Sequence, residues 1–268
     1  MRIISLNAFE GEIFEPLMQF VEQQAAQTDV FCFQEMDCAY SPALTRAADG
    51  RRLNLLQEIA LRLPDFDVRF AGIQENFNLE PSSEKLMEIG SATFVRKIFP
   101  IIESHDFFVY GERNTYVVRD FSTLGTNALC VKLQTARGPL TICSVYGTSR
   151  PSDKLDTPER LAQSQKVIEF LRTQEGEKIV MGDLNLLPQT ESVALFERAG
   201  YRNLITEYNI KTTRGTLMRK LYPQFEHGPY GFQEFADYTF VSSGLEVQSF
   251  EVPDVPISDH LPMILCVS

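Results

Sequence analysis

Short apolar runs alternate with amphipathic stretches along the whole chain, from Arg2 to Val267. Short apolar runs bounded by turn-forming residues are typical of strands, and apolar residues three and four positions apart are typical of helices. Strands are thus predicted at residues 2–6, 29–33, 67–71, 92–98, 106–110, 128–134, 140–146, 178–181, 237–242, 245–251 and 263–267. Helices are predicted at residues 15–27, 52–63, 158–173 and 192–199. Many strands with a few interspersed helices favour a mixed, layered α/β domain.

Two regions add detail to this pattern. The third helix has Thr157 in the N-cap position and Pro158 in its first turn, where both residue types are favourable. Residues 206–234 are predicted to form a long functional loop. No repeat, low-complexity segment or linker interrupts the sequence, so we expect one domain over residues 1–268.

Polar side chains recur just past the ends of the apolar strands. In chain order, the residues at these ends are Asn7, Glu35, Tyr146, Asp183, Asn185, Asp237 and the pair Asp259–His260. His260 is one of only three histidines in the chain. Sites built at strand ends gain rigidity from the sheet, and ligands of α/β folds favour such edges. The strand ends are therefore the first place to look for chemistry.

The net charge limits which partners the chain could bind. The chain has 268 residues and a formal net charge of −11. Proteins that hold nucleic acid through phosphate contacts usually present a basic face, and this chain would repel a polyanion at long range. Bound divalent cations or a local basic groove would reverse that repulsion near a site. The charge therefore weakens the case for a tight DNA-binding protein and leaves phosphate chemistry open.

The chain shows no targeting or membrane signal. No stretch approaches the ~20 apolar residues that a membrane helix needs. Residues 1–10 lack the long apolar run of a signal peptide, so we expect a cytoplasmic protein. The cysteine count is odd, no two cysteines form a C-x-x-C pair, and most lie in apolar runs: Cys32, Cys130, Cys143 and Cys266. Neither a disulfide scaffold nor a zinc site is expected.

The polar strand ends carry a resemblance to a known family. The segments concerned are Ser5-Leu6-Asn7, Phe33-Gln34-Glu35, Gly90-Ser91-Ala92 through Pro100, Val145-Tyr146, Gly182-Asp183-Leu184-Asn185, Asp237-Tyr238 and Ser258-Asp259-His260-Leu261-Pro262. In this order they resemble the endonuclease/exonuclease/phosphatase superfamily, which includes apurinic endonucleases, pancreatic-type deoxyribonucleases, deadenylases, sphingomyelinases and inositol polyphosphate 5-phosphatases. The chain departs from the apurinic endonucleases at Phe9, where those enzymes carry an acid.

The resemblance implies a fold and a cofactor. The fold is an α/β (α+β), four-layered sandwich of two mixed β-sheets flanked by helices. The cofactor is Mg²⁺, with Mn²⁺ as an alternative, and the implied metal residues are Glu35, Asp259 and Asn7. A hard cation prefers one or two carboxylates together with waters and substrate phosphate. Taken without the resemblance, Glu35 would be a solvated acid at a strand end, which is the commoner fate of a glutamate.

The resemblance also implies catalytic roles. Asp183 would orient or deprotonate the attacking water, and Asn185 would hold a phosphate oxygen. Asp237 would fix the tautomer of His260, which would face the scissile phosphate. Tyr146 would hydrogen-bond a phosphate or leaving-group oxygen, because a reference pKa near ~10 makes a phenol a poor base at pH 7. The ordinary structural alternative for the aspartate–asparagine pair is an Asx turn after a strand, and for the tyrosine it is a half-buried aromatic at a strand end.

The predicted function follows from these roles. Substrate contacts are expected from Asn7, Asn185, Arg214 and Arg150, although a single arginine is more often solvated surface charge. The predicted activity is divalent-metal-dependent hydrolysis of a phosphoester by a monomer, with a phosphodiester of a nucleic acid or nucleotide as substrate. One alternative is a phosphomonoesterase acting on a sugar phosphate, an inositol phosphate or a lipid headgroup, which the acidic charge slightly favours. The other is a non-catalytic binding module of the same fold.

Overall fold

The computed structural model describes residues 1–47, 50–79 and 84–268, which form two six-stranded sheets. The first sheet contains β1 (Arg2–Asn7), β2 (Val30–Ala39), β3 (Phe66–Glu75), β4 (Met87–Arg96), β11 (Val247–Glu251) and β12 (Met263–Val267), in the order β11-β12-β1-β2-β4-β3. The second contains β5 (Ile101–Tyr110), β6 (Thr126–Thr135), β7 (Gly138–Tyr146), β8 (Glu177–Asp183), β9 (Tyr201–Asn203) and β10 (Asp237–Ser242), in the order β5-β6-β7-β8-β10-β9. Both sheets are mixed, because β1 and β2 run parallel, as do β7 and β8.

The helices flank the two sheets. They are α1 (Phe14–Ala25), α2 (Leu55–Ala60), α3 (Pro158–Arg172), α4 (Glu191–Arg198), α5 (Leu204–Glu207) and α6 (Thr216–Leu221). As predicted, the Thr157 hydroxyl caps α3 by accepting from the backbone N–H of Arg160. No helix among the described residues is long and apolar enough to cross a membrane. The two-sheet α/β sandwich implied by the resemblance is confirmed.

Side chains on β1 point alternately to its two faces, and this alternation explains how the two sheets pack and where the candidate site lies. Ile3 joins the core cluster shared with the second sheet, whereas Ile4 and Leu6 join the cluster formed with α1 and α2. Because side chains alternate between the faces of a strand, Asn7 lies on the same face as Ile3. β1 and β2 lie against β7 and β8, so Asn7 faces the ends of the second sheet's central strands.

The second strand is longer than the sequence pattern predicts. β2 does not end at Glu35 but continues to Ala39. Its pairing with β4 shifts register between Phe33 and Met36, and Glu35 has a positive φ of 54°. A bulge of this kind lets a strand continue past an interrupted ladder and re-aims one side chain. The sequence shows the interruption as a change from apolar to polar residues, which looks the same as a strand end.

Two further predictions are corrected by the structure. Residues 206–234 are not one continuous loop, because they contain α6 and a 3₁₀ turn at Pro223–Phe225. Met218 anchors α6 because its side chain is buried. A single apolar anchor is a weaker sequence signal for a helix than a full apolar stripe. Cys130 and Cys143 form a disulfide, which was not expected from the odd cysteine count and the apolar runs around them. They are register partners on β6 and β7, a pairing set by the turn between these strands.

Candidate active site

A row of three polar side chains crosses the second sheet at one level. Tyr146 at the end of β7 is the register partner of Asp183 at the end of β8, which in turn is the partner of Asp237 at the start of β10. Gly182 precedes the central aspartate with a φ of 136°, and a Cβ there would lie 2.2 Å from the carbonyl oxygen of Val145. Only glycine fits this position, so it sets the backbone path that presents Asp183. We call these three residues the strand-end row.

His260 extends the strand-end row. Its Nδ1 lies 2.8 and 2.9 Å from the two carboxylate oxygens of Asp237, and its Nε2 lies 3.7 Å from Oδ2 of Asp183. Burial and the positive charge of Arg214 lower the pKa of the imidazole, but the carboxylates of Asp237, Asp259 and Asp183 outweigh them and raise it. The ring is therefore held in one orientation, with Nδ1 on Asp237 and Nε2 turned toward the central aspartate.

Asp183 is fixed by three hydrogen bonds. Its carboxylate accepts from the backbone N–H of Asn185 at 3.0 Å, from the side-chain amide of Asn185 at 3.2 Å and from that of Asn7 at 3.1 Å. The Asn185 amide also donates to the carbonyl oxygen of Gly147 at 3.1 Å. Burial raises the pKa of Asp183. The Asx turn that the sequence offers as the ordinary structural role is present, and it is also what orients this carboxylate.

Glu35 meets the strand-end row from the first sheet. Its Oε1 accepts from the Asn7 amide at 2.9 Å and from the Tyr146 hydroxyl at 3.0 Å. The side-chain oxygen Oδ1 of Asn7 accepts from the backbone N–H of Phe9 at 3.0 Å. The side-chain NH₂ of Asn7 therefore joins Glu35 to Asp183. Burial and the Glu35 charge raise the pKa of Tyr146 well above its usual range. Asn7 thus connects the two sheets, and the phenol stays protonated as a hydrogen-bond donor.

Asp259 is held from outside both sheets. Its Oδ2 accepts from an Arg214 guanidinium N–H at 3.1 Å, and its Oδ1 accepts from the Ser258 hydroxyl at 3.3 Å. Burial alone would raise the pKa of Asp259, but the positive charges of His260 and Arg214 outweigh it and lower that pKa. Arg214 also forms an isolated β-bridge with His260. Arg214, predicted from the sequence as a substrate contact, therefore lies within the same cluster as the acids.

Two sets of donor atoms in this cluster suit a divalent cation. The oxygens and nitrogens of Asp183, Asp237 and His260 lie within 4.8 Å of one another, which makes them one candidate. The resemblance points instead to Glu35 with Asp259 and Asn7. Among the described residues, the hydrogen bonds to Glu35 end on Oε1, which leaves Oε2 to bind a cation. Burial and the charge of Asp259 raise the pKa of Glu35 to about 6, as expected where negative charge is not neutralised. Oxygen donors and excess negative charge fit Mg²⁺ or Mn²⁺.

A second set of acids lies beside Glu35 and was missed in the sequence. Asp37 is fully buried, and neither of its oxygens has a hydrogen-bond partner among the described residues. Glu10 lies 3.3 Å from an Arg51 guanidinium nitrogen, and burial together with the Glu35 charge raises the pKa of Glu10 to about 7. Burial and Glu10 raise the pKa of Asp37 well above its usual range. We call Glu10, Glu35 and Asp37 the acidic group; the spacing of Asp37, two residues after Glu35, was its only sequence signal.

A pocket of about 440 Å³ opens beside the cluster. Asn185, Arg214, Lys154 and Arg150 line it. The charges of both Arg214 and Lys154 act on Asp183 and Asp259, so these two cations lie on the side nearest the acids. Burial and the charge of Arg214 lower the pKa of Lys154 to about 7. The sequence points to Lys154 only as one basic residue among several, because nothing in the surrounding residues indicates that its side chain is buried. The two predicted substrate-binding arginines therefore border one pocket.

Three other residues with reactive or charged side chains lie outside the catalytic cluster and the pocket contacts described above. His105 is exposed on β5, where its Nε2 lies 3.4 Å from Glu103. His227 is exposed in the segment after α6. Arg219 forms ion pairs with Glu226 and Glu234, so its charge is neutralised locally. These residues take surface positions.

The family model for the endonuclease/exonuclease/phosphatase family matches residues 4–260, which include every strand-end residue described above. The chain belongs to this family. Members are typically phosphoester hydrolases and generally use divalent metals. No curated protein is similar enough in sequence to match the chain.

Solved structures share the fold over its full length. A family protein from Leptotrichia buccalis is 17% identical with a TM-score of 0.69, and the match covers 100% of this chain and 99% of that one. A mannosyl-6-phosphatase from Bacteroides thetaiotaomicron is 16% identical with a TM-score of 0.66, over 100% and 99% of the two chains. The human Nocturnin catalytic domain is 16% identical with a TM-score of 0.66, over 100% and 94%. At these identities the likeness shows a common fold.

Proposed function

We propose that the protein is a divalent-metal-dependent hydrolase of phosphodiesters in a nucleotide or nucleic acid. The observation that carries the proposal is the meeting of the strand-end row, the His260 imidazole and the Glu35 carboxylate in one buried cluster. Phosphoester hydrolysis needs a positioned water, stabilised phosphate oxygens and an in-line leaving group. Family membership supports the reaction class.

Asp183 is suited to position the attacking water. Its carboxylate is buried and fixed by Asn7 and Asn185, and its raised pKa brings it closer to that of an effective general base. The water gives a proton to Asp183 as its oxygen bonds to phosphorus, one ester P–O bond breaks, and the leaving oxygen takes up one proton. Both hydrogens of the Asn7 amide are donated to carboxylates, so its role is to position them.

His260 is suited to the phosphate side of the reaction. The raised pKa of His260 keeps more of the imidazole positively charged near neutral pH. That positive charge would stabilise the negative charge that develops on the phosphate oxygens. Asp237 holds the ring in place. The Asn185 amide and the Tyr146 hydroxyl donate to the carboxylates of Asp183 and Glu35 and hold them in position. Bound at Glu35 and Asp259, Mg²⁺ would neutralise charge on the phosphate and polarise its oxygens.

A phosphomonoester of a sugar, an inositol or a lipid headgroup is the second candidate substrate. It is favoured by the net charge of −11, because a small substrate suffers less long-range repulsion than a polyanion. One structural neighbour is a phosphatase and another is Nocturnin, and their low identities do not choose between the two classes. The third candidate is a binding module without activity. The number of fixed polar groups in the cluster argues against it.

A substrate panel tests the proposal. Initial rates would be measured on bis(p-nitrophenyl) phosphate, p-nitrophenyl phosphate, dinucleotides, single-stranded DNA, RNA and inositol phosphates, with Mg²⁺, with Mn²⁺ and with chelator. We expect metal-dependent hydrolysis of diesters that His260→Ala abolishes and the exposed control His105→Ala leaves unchanged. Hydrolysis of monoesters alone would favour the second candidate. Absence of hydrolysis, with no activating Mg²⁺ site by calorimetry, would leave the binding module.

A further inference from the structure

The pocket beside the catalytic cluster has a charge opposite to that of the protein. The chain carries a net charge of −11, yet the described residues that line the pocket include Arg150, Lys154 and Arg214 and no carboxylate. A volume of about 440 Å³ falls within the range of small-molecule sites. The lining therefore favours a small anionic ligand over a neutral one.

Lys154 is a buried amine with hydrogen-bonding capacity that no described residue uses. Only 6% of the residue is exposed, and its Nζ donates to one acceptor, the carbonyl oxygen of Phe235 at 3.3 Å. An ammonium group has three donors, and a buried charge is costly unless it is paired. The backbone holds the residue in place, because its N–H donates to Pro151 and its carbonyl accepts from Leu187. The side chain is thus fixed in the pocket wall with capacity for an anion.

Arg150 supplies a second cation whose charge is not neutralised. Its guanidinium donates to the Ser152 hydroxyl and lies 5.5 Å from the centre of the Phe121 ring, and it forms no ion pair with a described residue. Arg198 and Arg219, in contrast, are neutralised: Arg198 pairs with Glu191, and Arg219 pairs with two glutamates. Arg150 and Lys154 line the same pocket, and guanidinium and ammonium groups are both well suited to bind a phosphate group.

The pocket lining also contains aromatic rings. Tyr230 lines the pocket with 56% of its surface exposed, so part of its ring is accessible to a ligand. Phe232 lies beside it and is held by the Arg219 guanidinium, 3.7 Å from the ring centre. Exposed aromatic faces stack on planar rings such as nucleobases. The pocket thus combines an anion-binding side with a stacking side.

We propose that this pocket binds a second phosphate group of a nucleotide-sized substrate, through Lys154 and Arg150, while the scissile phosphate occupies the catalytic cluster. The inference rests on the proposed phosphodiesterase function and names its substrate class. Asn185 and Arg214 touch both regions, which places the two phosphates on either side of them. Tyr230 offers its face to the base.

A matched pair of substrates tests the inference. Thymidine 5′-(p-nitrophenyl phosphate) carries one phosphate, and its 3′-phosphorylated form differs by one added phosphate group. Products would be separated by chromatography and kcat/KM determined with Mg²⁺. We expect the wild-type protein to prefer the 3′-phosphorylated substrate by about 10- to 100-fold, the range for a hydrogen bond to a charged group. Equal kcat/KM values for the two substrates would overturn the inference.

Variants locate the preference. Lys154→Met and the surface variant Arg150→Gln should each lower the ratio of the two kcat/KM values at least about 5-fold, as expected for loss of a charge-assisted bond. Lys97→Met is the matched control, because Lys97 also donates to one backbone carbonyl but lies on the exposed surface. A general structural effect would lower both kcat/KM values and leave their ratio unchanged. An unchanged ratio in both pocket variants would contradict the inference.

A binding measurement separates this inference from the proposed function. Calorimetry would compare thymidine 3′,5′-bisphosphate with thymidine 5′-monophosphate in the wild-type protein and in Lys154→Met. If neither chromogenic substrate is hydrolysed but the bisphosphate binds more tightly in a Lys154-dependent manner, the proposed function fails and the pocket assignment stands. If hydrolysis occurs without that difference in binding or rate, the pocket assignment fails and the function stands.

Discussion

The strand-end row and the acidic group lie side by side but are built differently. In the strand-end row, Asp183 and Asp237 are register partners and each carboxylate accepts hydrogen bonds from fixed donors. In the acidic group, Glu35 lies at a bulge with a positive φ, and Asp37 has no hydrogen-bond partner among the described residues. The sheet thus preorganises the first set, whereas the second set accumulates negative charge that Arg51 neutralises only in part.

From this contrast we expect the strand-end row and the acidic group to have different functions in the site. A preorganised row stabilises charge in the transition state without rearrangement, which acts on kcat. An excess of buried carboxylates attracts a cation, which acts on metal affinity. If the division is correct, substitutions in the two sets should change different measurable quantities.

The largest expected effect is on kcat, through His260, which extends the strand-end row. His260→Ala should lower kcat by about 10²- to 10⁴-fold, the usual contribution of a positioned proton-transfer or charge-stabilising group. Asp237→Asn should lower it less, because it disturbs the orientation of the ring but leaves the ring present. Steady-state kinetics would measure both. If Asp237→Asn caused the larger loss, the aspartate would have a direct role that this account does not give it.

The second-largest effect is expected on Mg²⁺ affinity, when a residue of the acidic group is substituted. Glu35→Gln should weaken Mg²⁺ binding by at least about 10- to 100-fold, because it removes a carboxylate ligand in a buried site. Calorimetric titration without substrate would measure it, with the exposed variant Glu103→Gln as control. Unchanged Mg²⁺ affinity would move the metal to the alternative donor set formed by Asp183, Asp237 and His260.

Stability should change with pH through Glu10. Burial and the Glu35 charge raise its pKa from 4.5 to about 7, so between these values the folded state holds more protons than the unfolded state. The free energy of unfolding contributed by this group is therefore fully present below pH 4.5 and falls as pH rises to about 7. Glu10→Gln should be more stable than the wild type by on the order of 1–3 kcal/mol at pH 8 without metal, with no gain near pH 4.5.

Urea denaturation across pH would measure that difference, with Glu191→Gln as the exposed control. Saturating Mg²⁺ should reduce the gain, since the cation neutralises the charge that destabilises the acidic group. A gain of equal size at pH 4.5 would show that charge is not its cause.

The smallest effect is expected for Tyr146. Its hydroxyl donates to Glu35 and its pKa lies well above the usual value, so it does not act as a base at neutral pH. Tyr146→Phe should lower kcat/KM by less than about 10-fold, consistent with loss of one neutral hydrogen bond. Its pH–rate profile should keep its shape. A lost limb in that profile would mean that the phenol does transfer a proton.

Strand periodicity and motif order predicted the fold because both are local signals. β1, β7 and β8 are short apolar runs that end in polar residues, and the sheets align those ends. The disulfide between Cys130 and Cys143 depends on strand register, which a sequence period does not specify.

The site was less predictable where burial overrides residue type. Lys154 and Asp37 are polar residues in ordinary surroundings along the chain, and only packing makes one a fixed cation and the other an unpartnered acid. Glu35 appeared to end a strand because a bulge and a strand end have the same polar pattern.

The most direct test of the division is the rate as a function of Mg²⁺ concentration, measured on one diester for the wild type, Glu35→Gln and Asp183→Asn. The account predicts that Glu35→Gln raises the half-saturating Mg²⁺ concentration at least about 10-fold and regains part of its rate in excess Mg²⁺. It predicts that Asp183→Asn lowers the maximal rate about 10²-fold or more and shifts the half-saturating concentration much less. If both variants shifted the same parameter alike, or if the wild type hydrolysed the diester at full rate with chelator, the account would be contradicted.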